Sequence, residues 1–285
     1  MYNERENIQT TLAEALAIVP RLGFEDFEIL VIDDGSRDGS AELVEQLAAR
    51  DPRIRLVRHP RNLGYGSALR TGFLNARCDV VFYTDSDLPV DLSELERALP
   101  LLDHSDVVIG YRICRHDTPR RALYSRVYNL LMRQLFGVRV RDVNFSFKLV
   151  KRSVLESISL TAATVFIDGQ LLAEAVQHGY SISELPINYQ PRRYGVSSFN
   201  SLRAAWDTLV EMLRYRVTGE LAVPGFASAR DSGHGSGAAP SAEVELSPLT
   251  DPAALSQFAE AGPWSRAEPA PAEPAAPARR AAGRK

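Results

Sequence analysis

A repeated alternation restricts this chain more than any other feature. Four short runs rich in β-branched residues, "FEILVID" (27–33), "IRLVRH" (54–59), "DVVFYTD" (79–85) and "DVVIGYR" (106–112), have the near-continuous apolar character of strands buried on both faces. Between them lie "SAELVEQLAAR", "GSALRTGFLNA" and "LSELERALPLL", whose apolar residues recur at helical spacing. Strand, helix and strand in repetition predict an α/β layer sandwich with a mostly parallel sheet. Asn3 followed by Glu6 reads as a capping box for the helix in "NIQTTLAEALAIV", and Ser40 stands directly before the next helix. A strand is expected ahead of Asn3, yet Met1 already stands at the helix start. Either a central strand has been lost, exposing its neighbour's edge, or the start codon lies further upstream, and the second is favoured.

Composition changes after Leu221. Residues 1–221 read as one folded domain, whereas 222–285, dominated by Ala, Pro, Gly and Ser, are expected to be a disordered tail that buries too little apolar area to offset ordering entropy. A net charge of -3 gives no whole-chain case for nucleic-acid binding. Cys78 and Cys114 lack paired spacing and no Cys/His cluster suggests zinc, so a reducing, cytoplasmic setting is expected. No run of 18 or more apolar residues reads as a membrane-spanning helix.

In an open parallel sheet, ligands gather beyond the carboxyl ends of the strands. Two acidic clusters fall there: Asp33 and Asp34 in "VIDDGSRDGS", and Asp85 and Asp87 in "YTDSDLP". Gly35 and Gly39 would let the first loop approach a ligand, and an acidic residue there can hydrogen-bond a ribose or base edge. An Asp-x-Asp pair suits a hard cation, since Mg²⁺ or Mn²⁺ takes one or two carboxylates plus substrate phosphates. The same residues also fit simpler roles, as strand ends and helix caps or as the acidic site of a phospho-acceptor receiver domain.

Taken in order, Tyr2-Asn3-Glu4, "VIDDGSRDGS", "RNLGYGSALRTGF", "YTDSDLP", "VIGYR" and "RRYGVSSF" resemble the motifs of family 2 glycosyltransferases with the GT-A fold, within the dolichol-phosphate (polyprenyl-phosphate) mannose synthase branch. The resemblance runs from Met1 to about Val217. It implies a GT-A-like three-layer α/β sandwich and a nucleotide-sugar donor, GDP-mannose or a UDP-sugar. Tyr2, Glu4 and Asp34 would lie near base and ribose, with Asp33, Gly35, Ser36 and Asn62 in the same donor-binding motifs. Asp85 and Asp87 would hold Mg²⁺ or Mn²⁺ at the diphosphate, and the sugar would be inverted at its anomeric carbon. Two departures stand out. The Pro-ended first strand is absent, and the family's Arg-x-x-Gly-x-Ser-Lys reads here as Arg192, Gly195, Ser197 and Ser198, with serine in place of the lysine.

Displacement by an alcohol needs a general base, whereas a phosphate monoester is already anionic and needs cations instead. Arg112 and Arg192 match phosphate-contacting positions of the family, and Arg193 can add a third charge. Asp142 matches an acidic position near the acceptor or caps a turn. Asp168 either orients the active site or caps its helix, and the cap is favoured. "TPRRALYSRVYNLLMRQLFGV" places Leu123, Val127, Leu131 and Leu135 at four-residue spacing, with Arg126 and Arg133 on another face, the pattern of an interfacial helix or of a core helix with a solvated edge. A second helix, "SLRAAWDTLVEMLRYRV", could extend that surface. The implied reaction is hexose transfer to a polyprenyl or dolichyl phosphate by a peripheral enzyme at the inner face of the cytoplasmic membrane, aided by direct lipid contact or a membrane-anchored partner. Another lipid or polysaccharide acceptor, or a non-catalytic nucleotide-sugar-binding module, remains open.

Overall fold

The structure, a computed structural model, describes residues 1–24, 26–113, 119–189 and 202–219. The expected tail, Cys114 and the Arg192–Ser198 motif lie outside the described residues.

Six strands form two hydrogen-bonded sheets among the described residues. β1 (Ile29–Asp33) and β2 (Ile54–Arg58) pair in parallel, joined by α2 (Ser40–Ala48). α1 (Arg5–Ile18) buries Ile8 and Leu12 against Val31, Val44 and Ile54. The second sheet has the order β3 (Val80–Tyr83), β5 (Lys148–Lys151), β4 (Val107–Arg112), β6 (Ile182–Ile187). β4 and β6 are parallel, and β5 runs antiparallel to both β3 and β4. The α/β layering follows the sequence reading, but this sheet is mixed. The long excursion from β4 through α5 (Pro119–Phe136) gives the chain room to return in the opposite sense.

Side chains of β5 alternate between two cores, as a pleated strand requires. Phe147 and Leu149 pack with Val108, Leu185 and Ile187, whereas Val150 joins the cluster of Val107, Ile109, Phe166 and Leu171. α7 (Phe166–Gln177) is buried at every position from Phe166 to Ala175, since α3 (Tyr65–Asn75), α5 and α8 (Leu202–Thr218) all pack against it. The remaining helices are short: α4 (Leu95–Ala98) and α6 (Arg152–Ser157). Glu211 of α8 accepts hydrogen bonds from the backbone N–H groups of Ala163 (2.8 Å) and Thr164 (3.0 Å), which fixes the loop leading into α7.

The expected capping box does not form. The N-cap of α1 is Glu4, and Asn3 instead takes a left-handed φ of 54° and turns onto the loop after β1. Its N–H donates to Ser36 Oγ (2.9 Å) and its Oδ1 accepts from Arg37 N–H (2.9 Å). The cross-chain contacts outcompete the local cap.

Gly66 shows how closely α3 approaches the loop before α7. A Cβ there would stand 2.4 Å from the Ala162 carbonyl oxygen and 2.6 Å from the Ala163 carbonyl carbon, whereas one at Gly72 would meet only Ile32 Cγ1 at 3.5 Å. Gly66→Ala should therefore lower stability by about 1–3 kcal/mol. Gly72→Ala, on the same helix, should be neutral or stabilising by up to about 1 kcal/mol, both read from urea unfolding midpoints.

Candidate active site

Both acidic clusters lie at the carboxyl ends of their strands, and α1 ties them together. Ser36 Oγ and Ser40 Oγ accept from the N–H groups of Asn3 and Glu4, while Thr11 Oγ1, further along the helix, donates to the Ser86 carbonyl (2.8 Å) in the turn between Asp85 and Asp87. Burial lowers the pKa of the Met1 amino group against the raising effect of the Asp85, Asp33, Asp34 and Glu4 carboxylates, and that group donates to the Ile32 carbonyl (2.8 Å) in β1. Tyr2 stands exposed beside them.

The first cluster is engaged by its own loops. Asp34 is buried, its Oδ1 accepting from Leu63 N–H (2.8 Å) and lying 2.7 Å from His59 Nδ1, its Oδ2 accepting from Gly64 N–H (2.9 Å). It thereby shapes the turn that carries the exposed Asn62. Asp33, fully buried, accepts from Ser36 N–H and faces the Arg58 guanidinium at 3.4 Å. Gly35 has a φ of 75°, and a Cβ there would stand 2.5 Å from the Arg61 carbonyl carbon, so only glycine lets the two loops meet. A shallow basic cleft lined by Ser36, Arg37, Arg58 and Arg61 opens beside them.

The second cluster follows β3. Leu88 N–H donates to the Asp85 carbonyl (3.1 Å), closing a turn with Leu88 at a φ of 46°. Burial raises the Asp85 carboxyl to about 6, and the Asp87 charge adds to the shift, while a hydrogen bond with Ser146 works against it. Two neighbouring carboxylates, both hard oxygen donors, suit a divalent cation. The residues present therefore fit Mg²⁺ or Mn²⁺, with substrate phosphates completing the shell.

Beneath this turn Asp168 meets partners that the sequence did not point to, Lys148 and Tyr65. Lys148 is fully buried, and its Nζ donates to Asp168 Oδ1 and to the Phe145 carbonyl, each at 2.6 Å. Tyr65 OH donates to Asp168 Oδ2 (2.8 Å) and also touches Tyr83 OH. Asp168 therefore does not cap α7, whose N-cap is Val165 without a side-chain bond; it sits in the first turn and turns inward. Lys148 was obscured by its setting, since a lysine alternating with Phe147 and Leu149 reads as the solvent side of a strand.

Arg112 and Asp142 are joined. Arg112 Nε lies 2.7 Å from Asp142 Oδ2 and Nη2 lies 3.1 Å from Oδ1, a two-pronged pair with both side chains at most 10% exposed. The guanidinium also lies over the rings of Phe145 (5.4 Å) and Tyr189 (5.7 Å). Arg192, Arg193 and Ser197 belong to the segment outside the described residues.

Residues 1–159 match the description Glycosyl transferase family 2. The chain is 32% identical over 225 residues to polyprenol monophosphomannose synthase of Mycolicibacterium smegmatis, covering 74% of this chain and 83% of that protein. It is 31% identical over 206 residues to undecaprenyl-phosphate 4-deoxy-4-formamido-L-arabinose transferase of Pseudomonas fluorescens, covering 71% of this chain but 59% of that relative. Among solved structures, glucosyl-3-phosphoglycerate synthase from Mycobacterium tuberculosis in complex with Mn²⁺ and UDP-glucose superposes with a TM-score of 0.55 at 18% identity, over 76% of each chain. That likeness is one of fold.

Asp85 gives the metal-free protein a distinctive pH dependence. Its folded pKa of about 6 lies above the ordinary 3.8. The stability it contributes is therefore fully present below about pH 4 and lost as pH rises through about 6. With EDTA present, Asp85→Asn should be more stable than the wild type at about pH 7.5, and the difference should close toward pH 4. Parallel urea-stability curves for the two proteins across that range would contradict the assignment.

Proposed function

The chain belongs to glycosyl transferase family 2, and on that premise we propose that it transfers a hexose from a nucleotide diphosphate sugar to a polyprenyl or dolichyl phosphate, with mannose from GDP-mannose as the leading donor. The observation that supports this reading is that α1 links the two acidic loops, its start bonded to Ser36 and Ser40 after Asp34 and its Thr11 to the Ser86 carbonyl between Asp85 and Asp87. The names of the two curated relatives support a lipid-phosphate acceptor, and they differ in the sugar.

In this reading, the loops ordered by Asp33 and Asp34 receive the base and ribose together with Tyr2 and Glu4, and Gly35, Ser36 and Asn62 shape that cleft. Asp85 and Asp87 would hold Mg²⁺ or Mn²⁺, which when bound offsets the charge of the departing nucleotide diphosphate. Arg112 would bind phosphate together with Arg192 and Ser197, assigned by their match to the family motif, and Asp142 holds the Arg112 fork in one orientation. An oxygen of the lipid phosphate attacks the anomeric carbon as the bond to the diphosphate breaks, inverting the centre. The acceptor is anionic near neutral pH, so the chain needs no strong base at this step.

No helix of the described residues is long and apolar enough to cross a membrane. Two helices nevertheless present apolar residues outward. On α5, Leu123, Val127 and Leu130 are 47–60% exposed at i, i+4, i+7 spacing beside exposed Arg126 and Arg133; on α8, Trp206, Leu213 and Val217 share one face and are 45–85% exposed. Met132 and Phe136 of α5 and Met212 and Tyr215 of α8 supply the core contacts instead. This arrangement supports peripheral binding at the cytoplasmic membrane surface, with arginines near anionic headgroups.

Two measurements test this function. Labelled sugar should pass into the lipid fraction from one donor of a nucleotide-sugar panel when polyprenyl phosphate and Mn²⁺ are supplied. Asp87→Ala should lower that rate by roughly a hundredfold or more, equivalent to about 3 kcal/mol of barrier; undiminished turnover would remove the metal assignment. The double variant Leu123→Ser, Trp206→Ser should sediment less with anionic vesicles while retaining its fold, and unchanged sedimentation would rule out these two faces.

A further inference from the structure

Given the metal-dependent donor site proposed above, we infer that Lys148 and Asp168 form a buried strut that positions Asp85, acting through the backbone of β5 and the hydroxyl of Ser146. Neither residue is placed as a metal ligand.

The register of the sheet carries this inference. β3 and β5 are antiparallel with Tyr83 opposite Lys148. Extending that register by two residues sets Asp85 opposite Ser146, and the period of two puts Tyr83, Asp85, Ser146 and Lys148 on one face. That placement sets the Ser146 hydroxyl beside the Asp85 carboxyl, whose upward shift Ser146 opposes. The Lys148 ammonium donates to the carbonyl of Phe145, the oxygen of the very peptide that leads into Ser146. Fixing that peptide plane fixes the direction in which Ser146 meets Asp85.

Asp168 joins the strut to the other strand. One oxygen holds Lys148, and the other accepts from Tyr65 OH, which touches Tyr83, two residues before Asp85. Asp85 is therefore held through its own strand and through the opposite one, and both routes end at Asp168. A buried ion pair is no reliable source of stability, because apolar replacements of similar volume are often neutral or stabilising. Its placement at the residues that orient a proposed metal ligand gives it a role that packing alone does not.

The test measures Mn²⁺ binding to the full-length chain in the presence of UDP or GDP, from the electron paramagnetic resonance signal of free Mn²⁺, alongside kcat and the Mn²⁺ concentration for half-maximal rate. The variants are Lys148→Met/Asp168→Asn, which removes both charges but keeps an acceptor for Tyr65; Ser146→Ala, which removes only the link to Asp85; and Asp87→Ala. The double variant should bind Mn²⁺ about 10–100-fold more weakly, as loss of a ligand-orienting partner does. Its Mn²⁺ requirement should rise in proportion, while kcat at saturating Mn²⁺ stays near that of the wild type. Ser146→Ala, with the ion pair intact and the fold least disturbed, should shift Mn²⁺ affinity in the same direction by a smaller factor. Wild-type Mn²⁺ affinity in folded Ser146→Ala, or in the double variant when only its melting temperature has fallen, would overturn the strut and leave an ordinary core ion pair. Unchanged Mn²⁺ binding in Asp87→Ala would instead overturn the metal site, and the strut with it.

Discussion

A lysine with no exposed surface is the constraint around which this fold is organised. Taking the Lys148 ammonium out of water carries a cost that only close, well-directed partners offset. They are the Asp168 carboxylate and the Phe145 carbonyl, each at 2.6 Å. Asp168 must therefore lie deep in the molecule, and the helix that carries it is buried along ten consecutive residues. α3, α5 and α8 cover that helix, and Glu211 of α8 fixes the loop from which it starts.

The two acidic clusters solve the problem of crowded carboxylates differently. Asp34 has backbone N–H groups and a histidine around it, so its charge is met by the chain itself. Asp85 is desolvated beside Asp87, and its carboxyl is accordingly pushed up to about 6. The first arrangement builds a rigid loop; the second is suited to a cation that arrives from outside. The segment from Asp142 to Lys148 is bound at several points, since Asp142 and Phe145 meet the Arg112 guanidinium and Lys148 holds the Phe145 carbonyl.

Much of this was legible in the sequence, for physical reasons. β1 to β4 and their intervening helices announce themselves because both-face burial gives continuous apolar runs and amphipathic helices give a 3.6-residue period. The carboxylates at strand ends followed from the geometry of parallel strands. β5 was not legible, because four residues with two lysines carry little period of their own and the strand depends on partners some 40 to 70 residues away. The cap expected at Asn3 and the one expected at Asp168 both gave way to long-range bonds, to Ser36 and Arg37 in one case and to Lys148 and Tyr65 in the other. Arg112 and Asp142 were each recognisable, but their pairing required knowing that residues 30 apart meet across the sheet.

The most direct test of the account is anomalous diffraction from crystals of the full chain soaked with Mn²⁺ and UDP or GDP. The account predicts a manganese peak within coordination distance of the Asp85 and Asp87 carboxylates, with the nucleotide lying over the loop that follows Asp34. A nucleotide bound there with no manganese at either carboxylate, or manganese bound elsewhere with the diphosphate, would contradict it.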